Sequence, residues 1–415
     1  MSATESKPAS PPRPWITLTV VGIVLATFFS DFAHEACTAV LPLYLGAVHI
    51  GPAGLGLIEG VADFLVSLSK LGGGVVGHRV SRKRPWLALG YLVTALCTAA
   101  IGLVQGLGAI LTLRTAAWIG RGFRGPLRDA LLAEEVAKTH YGRAYGLERA
   151  GDMLGAVAGP LMAALLIWAG LSFGSIILLS VVPGLLAATA IYFLTREREV
   201  PVPPTMAEQS APVRPPFPRV FWLFLIGVGL FGLGDFSRAF LVYLAAQALG
   251  ESSHGAAGTL SVAVLLYTMH NLISAAAAYG IGSAADRSSK MGLLIAGYAL
   301  GVVTNLLLAF FSGSLAWLVV AVVLSAVYLA AEQTLEKAVA AELLPRELRS
   351  LGFGILACSN AVGDMGSSLC VGFFLQAGQP ALGFGVSAAF GLAGVAWLAW
   401  FAGRERRGVS PSAPG

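Results

Sequence analysis

The chain has 415 residues, of which 56% are hydrophobic and 12% charged, with a formal net charge of +5. That much apolar surface cannot be hidden inside a soluble domain, and apolar stretches of membrane-spanning length recur along the chain. The positive balance comes from basic residues gathered in alternate loops, so it gives no support to nucleic-acid binding.

Hydropathy predicts twelve membrane spans, near residues 16–46, 54–77, 85–106, 108–133, 142–169, 172–195, 219–248, 257–284, 291–311, 315–341, 350–376 and 380–402. The polar, Pro-rich stretch 1–14 lacks a small-residue cleavage site, and the apolar run after it is too long for a signal peptide, so the first span is expected to remain as a helix. The connections near 47–53, 170–172, 249–256, 312–314 and 377–379 contain no Lys or Arg. The opposite set carries Arg79, Arg82, Lys83, Arg84, Lys138, Arg196, Arg287, Lys290, Arg346, Arg349 and Arg404. The positive-inside bias therefore places both termini in the cytoplasm. Residues 196–218 hold seven prolines and read as an extended cytoplasmic linker between two six-helix bundles, 15–195 and 219–403, with tails at 1–14 and 404–415. The fold class is thus an all-α membrane protein. Cys37, Cys97, Cys358 and Cys370 all fall inside spans without metal-type spacing, as small hydrophobes do.

The two bundles repeat each other. Gly77-His78-Arg79 through Lys83, followed by Gly90-Tyr91, is answered about 208 residues later by Ala285-Asp286-Arg287 through Lys290 and Gly297-Tyr298. Gly151-Asp152-Met153 recurs as Gly363-Asp364-Met365, and Asp31-Phe32 as Asp235-Phe236. Related halves of a membrane protein usually frame a substrate site at their interface.

The loop Gly74-x-x-x-His78-Arg79-x-x-Arg82-Lys83 resembles the G-x-x-x-D-R-x-G-R-R loop of the major facilitator superfamily, and Gly282-x-x-x-Asp286-Arg287 repeats it. The resemblance implies a conformational latch at Gly74, His78, Arg79, Arg82, Gly282, Asp286 and Arg287. His78 stands where that family has Asp. Gly146, Gly155, Gly159 and Pro160 have the spacing of the fifth-span motif of the family's drug or solute:proton antiporters, with Ala163-Ala164 in place of the last Gly pair. A Gly ladder closed by Pro bends a helix and lets a partner pack closely. This likeness tilts the expected direction towards efflux across a bacterial inner membrane, by a monomer.

Charges inside the spans give the site candidates, because buried ionisable groups in a membrane are costly and mark pathways. Arg114, Arg121, Arg124 and Arg128 are spaced to share one face of the fourth span, with Arg128 and Asp129 towards its cytoplasmic edge. Asp31, His34 and Glu35 share a face of the first span, Glu59 and Asp63 one of the second, and the fifth carries Glu148, Arg149 and Asp152. Asp31, His34, Glu35, Glu59, Asp63 and Asp152 are the candidates for proton coupling. Arg114, Arg121, Arg124, Arg149, Glu332 and Asp364 are those for substrate binding. The second half carries fewer charges; Asp235 is expected to pair with Arg238, and His270 and Asn271 add hydrogen-bonding groups to the cavity.

Nothing resembles a nucleotide-binding loop, so energy should come from an ion gradient, and no cofactor or resident metal is expected. The leading expectation is a proton-coupled secondary transporter exporting a small organic solute by alternating access. The alternatives are uptake of an anionic metabolite or iron chelate, suggested by the arginine face, and export of a divalent metal through Asp31, His34 and Glu35. A non-transporting sensor is the alternative from another class. An enzyme is not expected, since no nucleophile–base pairing and no H-E-x-x-H stands in the chain.

Overall fold

The computed structural model describes residues 14–50, 52–197, 216–236, 240, 241, 244 and 256–408, and the described secondary structure is entirely helical. The first half contains α1 (Leu18–Ala47), α2 (Pro52–Arg79), α3 (Arg84–Ala100), α4 (Leu107–Glu135), α5 (Tyr141–Trp168), α6 (Phe173–Leu179) and α7 (Val181–Leu194). The second contains α8 (Arg219–Gly232), α9 (Ala256–Ala285), α10 (Lys290–Phe311), α11 (Leu315–Leu343), α12 (Arg349–Gln376) and α13 (Pro380–Gly408). These boundaries fall within a few residues of most hydropathy spans, because the apolar runs and the helices end at the same polar turns. Seven spans among the described residues are long and apolar enough to cross a membrane by length and composition alone. The fourth is not among them, since its arginines lower its hydropathy.

Two spans depart from the expected continuous helices. The sixth is broken at Ser180 into α6 and α7, with the Ser180 hydroxyl donating to the Ile177 carbonyl. Pro183 lies in the first turn of α7, where its missing N–H is tolerated; one turn deeper in an unbroken helix it would cost a hydrogen bond. The seventh is interrupted: α8 stops at Gly232, Leu233-Gly234 turn the chain so that Asp235 and Phe236 are non-helical, and residues 240, 241 and 244 are helical again. Asn305 of α10 donates its amide to the Gly234 carbonyl at 2.8 Å, satisfying a backbone group that the break releases inside the bundle. Most of the linker and both tails lie outside the described residues, as does Arg238.

The repeat in the sequence is a repeat in packing. In the first half α1 packs on α5 and α7, α2 on α4, and α3 on α4 and α7. In the second half α8 packs on α12 and α13, α9 on α11, and α10 on α11 and α13. The halves meet through the equivalent pairs α5 with α9 and α2 with α12. Thr19 near the start of α1 accepts from the Arg196 amide after α7, and Trp15 stacks on His140, so the N-terminal segment and the Lys- and Arg-rich turns share one end, here called the basic end.

The halves are welded at that end. One apolar core there joins Leu127, Tyr141 and Tyr145 of the first half to Leu344, Phe353 and Leu356 of the second. Towards the other end the described cores separate, one built from Cys37, Leu41, Ile58 and Ile110 and another from Phe236, Leu318, Val371 and Phe384. The molecule is thus closed at the basic end, and further along a small core of Ala150, Met153 and Ala156 against Ala275 still joins α5 to α9.

Candidate functional site

The four arginines of α4 lie along α1, as their spacing requires. Arg114 donates to Thr38 Oγ1 at 3.1 Å, Arg121 pairs with Asp31 at 2.6 Å, Arg124 donates to Ser30, and Arg128 reaches Thr27 at 3.4 Å. The partners step back along α1 as the arginines advance along α4, the mark of two antiparallel helices in register. Aromatic faces add to the support: Trp118 lies under both Arg114 (5.4 Å) and Arg121 (5.8 Å), and Tyr91 lies 3.8 Å from Arg124.

Asp31 has a second partner. Its carboxyl is within hydrogen-bonding reach of Asp152 on α5, which is itself ion-paired to Arg149 one turn back along the helix. Two carboxyl groups in contact repel when both are ionised, and a proton held between them turns the contact into a hydrogen bond. Arg121 and Arg149 flank the dyad on either side. Glu35 is a charged neighbour of the same group. His34 points elsewhere: its ring meets Trp118 edge-on at 4.8 Å. Glu59 and Asp63 lie on α2, but their side chains are outside the described set.

Close packing brings α5 to this spot. A Cβ on Gly155 would lie 3.0 Å from that of Asp31, and one on Gly159 3.0 Å from that of Glu35. Gly155 and Gly159 therefore set the approach of α5 to the acidic face of α1. Gly146 does something different. It faces Ala278 of α9 in the other half, next to Gly142 against Gly282, where the two backbones touch. The ladder read as one packing surface is two, and Pro160 sits within the helix just past the first.

Closer to the basic end, Arg128 pairs with Glu148 at 2.9 Å and with Asp129 at 3.1 Å. Lys337 of α11 crosses from the second half to the same carboxylates, at 3.4 Å from Asp129 and 3.5 Å from Glu148. These ties form a charged floor beneath the Asp31–Asp152 dyad.

In the second half, Asp235 accepts from the Tyr328 hydroxyl at 2.8 Å; its expected partner, Arg238, lies outside the described residues. Glu336 is held by the Tyr298 hydroxyl and by Asn360 at 2.6 Å. Glu332, one turn before Glu336, is 4% exposed, and its Oε2 has no hydrogen-bond partner. Asp235, Glu336 and Asp364 are the carboxylates facing Glu332, and Arg149 of α5 is the cation across from it. Sequence reasoning named Glu332 and Asp364 but missed this gathering. The available signal was Gly232-Leu-Gly234 directly before Asp235, a pair of helix breakers beside an acid in the middle of an apolar run. His270 and Asn271 are buried on α9.

The duplicated loops meet the opposite half in equivalent places. Asp286, its side chain 1% exposed, accepts from the backbone amides of Gly142 and Arg143 at 2.8 and 2.9 Å, so it caps the start of α5. Lys290 lies 3.6 Å from it and 2.8 Å from Glu342. In the other copy His78 Nδ1 meets the Glu347 carbonyl at 2.7 Å, just before α12, and Gly74 packs against Ser350 and Gly354. His78 thus serves as a donor where Asp286 is an acceptor. Arg79, Arg82 and Arg287 are exposed at this end. Among the described residues no group of three His, Cys, Asp or Glu side chains is arranged to hold a metal ion.

The Major Facilitator Superfamily model matches residues 23–267 and 235–415. An uncharacterized MFS-type transporter of Methanocaldococcus jannaschii is 25% identical over 349 residues, covering 84% of this chain and 86% of that protein. Among solved structures, a human organic anion transporter matches with a TM-score of 0.72 at 16% identity, over 93% of this chain and 100% of that one. A bacterial homologue of the iron transporter ferroportin, in its outward-facing state, matches with a TM-score of 0.68 at 15% identity, over 93% and 99% of the two chains.

Proposed function

The chain belongs to the Major Facilitator Superfamily of membrane transporters, and from that premise we propose that it exports a small organic solute in exchange for protons. The observation that carries this reading is the Asp31–Asp152 dyad clasped between Arg121 and Arg149. When the dyad holds a proton, it offers its arginines a single negative charge. When it releases the proton, a second negative charge appears and draws the guanidinium groups inward. A proton arriving at this point therefore changes how α1, α4 and α5 hold one another, which is what coupling requires.

With the basic end in the cytoplasm, the closed end faces inward, and the dyad lies on the far side of the charged floor from it. Protonation from outside, closure over the dyad and opening of the basic end would then carry a proton in, and the return would carry solute out. The Gly155 and Gly159 contacts support this direction, since the antiporter-like ladder rests on the helix bearing Asp31 and Glu35. In this reading the multi-pass protein works in the bacterial inner membrane.

Proteoliposomes with an imposed pH gradient, loaded with a panel of organic cations, organic anions and divalent metals, test the proposal. Outward solute movement should depend on the gradient, and Asp31→Asn with Asp152→Asn should abolish that dependence while leaving solute exchange at equal pH. Full gradient-driven transport by the double variant would refute the assignment. Arg124 favours one second reading, uptake of an anionic solute, because it rests on Ser30 and Tyr91 and makes no ion pair among the described residues. Inward, gradient-driven movement of an organic anion in the same assay, lost on Arg124→Gln, would select it.

A further inference from the structure

The second half has an acidic centre of its own, beside the break in its seventh span. Asp235 follows the break after α8, Glu332 and Glu336 come from α11, and Asp364 comes from α12. Three of these four carboxylates have clear supports or openings. Asp235 takes the Tyr328 hydroxyl, Glu336 takes Tyr298 and Asn360, and Asp364 is half-buried. Glu332 is also nine-tenths or more buried, with one carboxyl oxygen, Oε2, that accepts no hydrogen bond among the described residues.

A buried carboxylate surrounded by three others and left without a donor is strongly disfavoured. It is relieved in two ways: by a proton on its own oxygen, or by a positive group from outside. Two cations act on this cluster, Arg149 on Glu332 and Lys70 on Asp364, and neither belongs to Glu332 alone. Arg149 is paired to Asp152, and Lys337 points away to Asp129 and Glu148. Helix α9, which also packs on α11, brings His270 and Asn271 as its buried polar groups. Discontinuous helices near the middle of a transporter are where ligands are recognised, and α8 ends at Gly232 with the negative end of its dipole beside Asp235. Four carboxylates gather here against Arg149 and Lys70, so among the described residues the balance favours added positive charge.

We propose that Glu332 is an exchange site at which a proton and the cationic group of an organic substrate take turns, with Asp235 and Asp364 drawing the cation in. In the empty transporter, Glu332 carries a proton on a carboxyl oxygen. An arriving organic cation takes its place against the carboxylate, and the O–H bond breaks as the proton passes to water in the open cavity. The charge at the site is unchanged by the swap, so one carboxyl makes the two passengers mutually exclusive. Arg149, between Asp152 and Glu332, places this site one side chain from the Asp31–Asp152 dyad. The inference rests on the exchange reading above and narrows its substrate to organic cations.

Equilibrium titration of the purified full-length chain in nanodiscs tests it without a gradient or turnover. Tetraphenylphosphonium is the probe, with a pH-sensitive dye in weakly buffered solution and infrared difference spectra for protonated carboxyl groups. The wild type should release up to one proton per bound cation and lose one protonated-carboxyl carbonyl band. Glu332→Gln, nearly isosteric, should release none, lack that band change and bind the probe about tenfold or more weakly, whereas Glu332→Asp should keep the release. An unchanged thermal midpoint in both variants excludes misfolding as the cause; a Glu332→Gln protein that fails to fold leaves Glu332→Asp and the wild-type infrared band to decide. Absence of probe-driven release from the wild type overturns the proposal. So does release that survives Glu332→Gln, and if that release is lost in Asp31→Asn with Asp152→Asn, the dyad reading stands and the Glu332 site alone falls.

Discussion

At the scale of single residues, the first half is organised by arginines whose charges are met locally. Arg121, its side chain 24% exposed, pairs with the buried Asp31 at 2.6 Å. Removing one member of such a pair leaves an uncompensated charge, at a cost of about 3–5 kcal/mol, whereas replacing both with apolar groups of similar size is often nearly neutral. Arg121→Met should therefore lower the thermal midpoint in detergent sharply, and Arg121→Met with Asp31→Leu should recover most of the loss while remaining inactive in transport. A double variant as unstable as the single would mean that the pair is held by the wider network rather than by its own charges. The arginine face was legible in the sequence, because a run of charges at helical spacing inside a span has to look inward. The dyad was not, since Asp31 and Asp152 come from helices far apart in the chain, and only the approach of α5 brings them together.

At the scale of helices, α5 does two jobs with one sequence motif. Its Gly155 and Gly159 rest on α1 within the first half, and its Gly142 and Gly146 rest on α9 across the interface. A methyl group forced into either contact should cost about 1–3 kcal/mol of overpacking, but the two costs fall on different equilibria. Gly155→Ala presses on Asp31 in every state, so it should lower thermal stability and gradient-driven transport together. Gly146→Ala presses only where the halves close, so it should leave thermal stability nearly unchanged and favour opening of the basic end. Thermal unfolding, paired with accessibility of a cysteine label near Ala278, separates the cases; equal effects of both variants on both readouts would remove the distinction. The spans themselves could be read from hydropathy, and so could the duplication. The breaks at Ser180 and Gly232 were harder to see, because apolar composition is the same on both sides of each, and only Pro183 and the Gly232–Gly234 pair betray them.

At the scale of the whole molecule, the duplication has left the two halves with the same neighbours and different latches. Asp286 caps the first amides of α5 through charge-assisted hydrogen bonds and has Arg143 (3.8 Å) and Lys290 (3.6 Å) beside it. His78, in the equivalent loop, contributes one hydrogen bond to the Glu347 carbonyl at an exposed rim. Hydrogen bonds to charged groups contribute about 1.5–3 kcal/mol each and neutral ones about 0.5–1.5, so the closure of the basic end should lean mainly on Asp286. Both contacts exist only while the halves meet, and whatever they contribute is lost on opening. Asp286→Asn should shift the equilibrium towards the open basic end by about tenfold or more, and His78→Ala by a few-fold at most. Spin labels on Thr139→Cys and Ser288→Cys, both exposed at that end, would report the shift as a longer distance population. A larger shift from His78→Ala than from Asp286→Asn would mean that the histidine copy governs opening. A smaller one places control of the basic end in the second half, while the proposed Asp31–Asp152 dyad lies in the first, so that opening would require each half to act on the other.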